Sequence, residues 1–260
     1  MVRNNRYQGA FYFNTSNAAV GQVHTWSAEM NDYFNLANVN NKLAAENAFL
    51  RKKLLEKQHL SDLSIGPNAS LELIKQFNFK VAKVVSATVN KEKNYLTINK
   101  GTADGIKPGM GVIAPDGIVG KVKYCSEHFS TITSILHTNM LVSAKIGRND
   151  VVGSVKWDGY SPDYALLAFI PRHSHVKKGD KVVTSGFNNI YPEGVMIGAV
   201  NKFSLQPDES TYHIEIRLST DFRKLKYVYV VENILKPELD SLNVRSGVEI
   251  FNDQPSDNKK

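Results

Sequence analysis

Two segments of this chain repeat one unit: Lys107-Pro-Gly-Met-Gly-Val-Ile113 followed by Asp116-Gly-Ile-Val-Gly-Lys-Val122, and Lys178-Gly-Asp-Lys-Val-Val183 followed by Glu193-Gly-Val-Met-Ile-Gly-Ala-Val200. In each, a Lys and Gly turn leads into a short apolar strand, and an acidic-Gly turn opens a second strand that a glycine interrupts. Such spacing makes tight hairpins and strands bent at small residues, as a small barrel requires. The turn glycines are Gly101, Gly105, Gly109, Gly117 and Gly120 around the first copy and Gly179, Gly186, Gly194 and Gly198 around the second. The 260 residues, 42% of them hydrophobic, suffice for two small cores.

Strands are expected at 79–89, 95–98, 118–124, 131–136, 141–146 and 151–157, forming a first β-barrel over 81–158. A second barrel over 159–236 takes 164–170, 181–184, 195–203, 212–219 and 227–231, and the last strand is able to close either barrel. In the segment from Tyr212 to Ser219, Ile214, Ile216 and Leu218 alternate with His213, Glu215 and Arg217, the period of a half-buried strand. The polar stretch 237–260 reads as a disordered tail.

Upstream, from Ala18 to Leu63, there is no proline, and Leu36, Leu43 and Leu50 recur every seven residues. With these at d positions, Tyr33, Asn40, Asn47 and Leu54 fall at a. Asparagine at a favours a parallel two-stranded coil, because the facing amides satisfy each other in one register. The expectation over 1–66 is a segment whose Tyr7, Phe11, Tyr12 and Phe13 suit a juxtamembrane position and a coiled-coil helix, then a linker over 67–80. The alternative is a lone amphipathic helix packed on the β-domains.

Charge and motifs narrow the chemistry. The net charge of +7 is spread out, with no polybasic tail, and a single cysteine, Cys125, forms no internal disulfide. No apolar run approaches the roughly 18 residues of a membrane span, so the chain as given is expected to be soluble. Neither Gly-Asp-Ser-Gly-Gly nor Gly-x-Ser-x-Gly occurs, and the nearest serine context is Thr184-Ser185-Gly186. His173 and His175 fall short of the three or four ligands of a metal site. The glycine loops match no phosphate-binding pattern. No catalytic residue, metal or cofactor is assigned.

The series running from Tyr95 to Ile113, from Asp116 to Val122, and from Gly179 to Phe187 through Tyr191 to Gly198, behind a helical stalk, resembles the MreC family of rod-shape-determining proteins. The resemblance implies a mainly β fold: an N-terminal α-helical coiled-coil stalk followed by two small β-barrels, a chymotrypsin-like pair without a protease site. It also implies a non-catalytic scaffold of the bacterial elongation machinery, outside the inner membrane and anchored by a helix absent from this chain. The implied partners are a second copy of the chain, the elongation-specific penicillin-binding transpeptidase, and the MreD and MreB machinery. The competing readings are a serine protease and a coiled-coil nucleic-acid-binding protein. The latter lacks the dense basic helix that should precede its zipper, so no nucleic acid is expected.

Overall fold

The computed structural model describes residues 76–187, 189–205 and 210–247, together with Glu46, Asn47 and Leu50. Its strands are β1 (Phe77–Ala87), β2 (Lys93–Ile98), β3 (Gly111–Ala114), β4 (Gly117–Cys125), β5 (Ser130–His137), β6 (Leu141–Ile146), β7 (Val152–Lys156), β8 (Tyr164–Ala168), β9 (Lys181–Thr184), β10 (Met196–Ser204), β11 (His213–Leu218) and β12 (Tyr227–Asn233). They close into two antiparallel barrels, ordered β1-β12-β3-β4-β5-β2 and β10-β11-β8-β7-β6-β9.

The repeated motif folds twice into the same hairpin. Gly109 N–H donates to Val122 O and Gly179 N–H to Val200 O, both at 2.8 Å, and the two glycines have φ of 87° and 88°. Val112 pairs with Gly120, and Val182 pairs with Gly198. Both of these later glycines are needed for close approach. A Cβ on Gly120 would lie 2.1 Å from Thr133 O, and one on Gly198 would lie 2.2 Å from Arg217 O.

Strand bounds and allocation differ from the sequence expectation: β1 begins at Phe77, inside the expected linker over 67–80. β6 and β7, expected in the first barrel, belong to the second, and β12 closes the first between β1 and β3. The second barrel is thus a continuous segment inserted between β5 and β12. In it β6, between β7 and β9, fills the place that β12 fills in the first. Each closing strand contributes apolar side chains at alternating positions: Val228 and Val230 from β12, and Val142, Ala144 and Ile146 from β6. Each large aliphatic side chain removed from water contributes about 1.5–3 kcal/mol.

Residues expected in the tail form helix α1 (Lys236–Ser246), with Pro237 in its first turn and Gly247 ending it at φ 68°. That Pro and Gly pair is a helix start and stop signal. Within the expected stalk, Glu46, Asn47 and Leu50 are helical and exposed, and the rest of the expected coil lies outside the described residues.

The barrels meet through buried polar contacts as well as apolar ones. Tyr191 Oη donates to Gly120 O at 2.6 Å, and Thr220 Oγ1 donates to Ile118 O at 3.0 Å. Gly111 lies against Tyr191, where a Cβ would come within 2.7 Å of the ring.

Candidate docking face on the second barrel

Strand alternation decides what the second barrel turns outward. β6 exposes or half-exposes Leu141, Ser143 and Lys145; β7 does so with Val152, Ser154 and Lys156; β8 with Leu166 and Ala168. Register aligns these into rows. Ser143 pairs with Ser154 and Ser154 with Ala168, while Leu141 pairs with Lys156 and Lys156 with Leu166. A row of small side chains therefore runs across three strands, bordered by Leu141, Lys156 and Leu166 on one side and by Lys145 and Val152 on the other.

Two aromatic residues mark the ends of this row. Ser185 N–H donates to Ser143 O, and the two hydroxyls are 2.7 Å apart. The chain then turns at Gly186, with φ 81°, and presents Phe187 at 70% exposure. A cleft lined by Met140, Leu141, Ser143, Ser185, Ile190 and Tyr191 leads from there to the junction of the barrels. At the other end, Phe169 follows β8 with φ 65° and is 68% exposed. A bulky side chain in the left-handed region costs about 1 kcal/mol or more, and here burial does little to offset it.

The rim is charged and paired. Lys145 binds the carboxylates of Asp150, at 2.6 Å, and Glu193, and these bonds raise its pKa above the usual lysine value. Arg148 bonds Asp180 in a two-pronged pair of 3.0 and 3.1 Å, which holds the Asp180 carboxyl below the usual range. Exposed Leu141, Leu166 and Val152 around a row of small side chains, with Lys145 held in ion pairs beside them, suit a protein-docking surface.

The residues weighed from sequence for chemistry take other roles. Ser185 is 6% exposed, and its hydroxyl is bonded to Ser143 Oγ rather than to a histidine. His175 has φ 47°, and its carbonyl accepts a bond from Arg148. Among the described residues no three His, Cys, Asp or Glu side chains gather as a metal site. No helix among them is long and apolar enough to cross a membrane. Of the expected seam, Asn47 and Leu50 are helical and exposed, whereas Tyr33, Leu36, Asn40, Leu43 and Leu54 lie outside the described residues. Sequence reasoning missed Leu141, Leu166 and Phe169. The available signal was the unbroken apolar run from Ala165 to Ile170, which puts hydrophobic residues on both faces of one strand.

A family profile described as "Rod shape-determining protein MreC, barrel core" matches residues 84–232. The cell shape-determining protein MreC of Listeria monocytogenes is 29% identical over 196 residues, covering 74% of this chain and 63% of that protein. The chain therefore spans a little under two thirds of this relative. A solved structure of MreC from the same organism is 27% identical with a TM-score of 0.57, covering 74% of this chain and 90% of that one. A Helicobacter pylori MreC, solved in complex with the penicillin-binding protein PBP2, shares the fold at 15% identity and a TM-score of 0.50, over 61% of this chain and 99% of that one.

Proposed function

Because the chain belongs to the MreC family of rod shape-determining proteins, we propose that it is a shape-determining scaffold of the bacterial envelope whose second barrel docks the elongation-specific penicillin-binding transpeptidase. The observation that carries this reading is Phe169, held at φ 65° and 68% exposed directly after Ala168, the β8 member of the small-residue row. Strain of this kind persists where a displayed side chain has a use. Support for the partner comes from the Helicobacter pylori relative, solved in complex with PBP2.

The coiled-coil seam through Leu36, Leu43 and Leu50 pairs two copies in parallel, and two docking faces then gain from effective concentration. An inner-membrane anchor preceding the stalk keeps the barrels on the periplasmic side, within reach of MreD and of the MreB machinery across the membrane. These assignments rest on the family and on the heptad spacing.

The test is binding of the purified transpeptidase ectodomain to the full chain and to Leu166→Asp. The expected result is a loss of at least about tenfold in affinity, the scale of a desolvated anchor, with unchanged thermal unfolding. Undiminished binding by the folded variant overturns the assignment of this face.

A further inference from the structure

The first barrel turns a different chemistry outward, centred on His137 at the end of β5. The imidazole is buried, at 6% exposure. Asn139 N–H donates to Nδ1 at 3.1 Å, so the proton of the neutral ring sits on Nε2 and is donated to Tyr95 Oη, also at 3.1 Å. Lys123 Nζ is 3.4 Å from the same oxygen and 5.1 Å from the Tyr95 ring centroid.

Both acceptor positions of the phenol oxygen are thereby filled from inside the protein. Its own O–H has no acceptor among the described residues and is left to donate outward. Lys93 stands across the ladder from His137. Among the described residues neither Lys93 nor Lys123 pairs with a carboxylate. Burial lowers the His137 pKa, and the ammonium groups of Lys123 and Lys93 lower it further. One ammonium group at the phenol, a second on the strand position opposite His137 and a phenol O–H left free to donate supply the kinds of group that bind an oxyanion.

We propose that Tyr95, Lys123 and Lys93 form a binding site for a phosphate or carboxylate oxyanion on the outer face of the first barrel. Half-buried Thr97, Thr131 and Thr133 flank it on the same strands and supply hydroxyls to the rest of the ligand. The shared chemistry has two sources, an acidic polysaccharide and an anionic lipid headgroup.

His137 reports occupancy, because a bound anion cancels the repulsion from both lysines. In the full chain, its titration is followed by NMR while chloride is replaced by inorganic phosphate at constant ionic strength. The expected result is a rise of about 0.5 in the His137 midpoint, with no rise in the Lys93→Gln, Lys123→Gln double variant. Tyr95→Phe should weaken the response while keeping both charges. Parallel titrations use polygalacturonate and vesicles containing phosphatidylglycerol, and whichever reproduces the rise at lower anion concentration identifies the source. An unmoved midpoint with all three probes overturns the proposal. An equal rise in the double variant also overturns it, because that marks general screening rather than a site.

Discussion

Thr97 of the first barrel and Leu166 of the second occupy the same place. Thr97 pairs with Ser86 on one side and Thr131 on the other, whereas Leu166 pairs with Lys156 and Glu215. Their strands sit between corresponding neighbours in barrels built on one hairpin. Yet the first position carries a half-buried hydroxyl and the second an exposed leucine. The hairpins diverge too. The β3–β4 turn is short, at 115–116, while the β9–β10 connection runs over 185–195 and carries both exposed Phe187 and the Tyr191 that reaches Gly120 of the other barrel. The shared hairpin closes the core, and the copies part in their outward positions and in the longer connection.

Perturbing each copy in turn exposes where they are alike and where they part. The largest effect is expected where they are most alike. Gly120→Ala and Gly198→Ala each drive a methyl into a neighbouring strand's carbonyl, and each should cost about 2 kcal/mol or more, by similar amounts. Denaturant unfolding measures this, and tolerance at only one glycine breaks the equivalence. Next comes the junction. Tyr191→Phe leaves the Gly120 carbonyl without its phenol partner and should cost about 1–2 kcal/mol in the same assay, with no counterpart in the shorter β3–β4 turn. The smallest change has the opposite sign. Phe169→Gly relieves left-handed strain and should raise stability by up to about 1 kcal/mol while weakening transpeptidase binding. A variant that loses stability instead shows that Phe169 is a packing residue.

The legible parts of the fold were those with a local chemical cause. Gly109 and Gly179 take φ near 88°, which glycine adopts without penalty, so the repeat was visible in the sequence. The alternation of Ile214 and Ile216 with His213 and Glu215 marked a strand for the same kind of reason. Closure of the first barrel by β12 was not fixed by any local signal, because pairing Val230 with Val112 joins segments far apart in the chain and either barrel offered an apolar slot. Helix α1 was hidden by its polar composition, although Pro237 and Gly247 delimit it. The candidate docking face escaped because Leu166 and Leu167 are adjacent and equally apolar. Only the register decides that Leu167 is buried while Leu166 faces out. The site at Tyr95 escaped because it needs three strands and a turn to assemble.

The most direct test exchanges the two equivalent residues one at a time, preparing Leu166→Thr and Thr97→Leu in the full chain and measuring the affinity of each for the transpeptidase ectodomain. If the second barrel's outer face is the docking surface, Leu166→Thr weakens binding by about tenfold and Thr97→Leu leaves it unchanged. Undisturbed binding by Leu166→Thr, together with loss in Thr97→Leu, would place the partner on the first barrel and contradict the account.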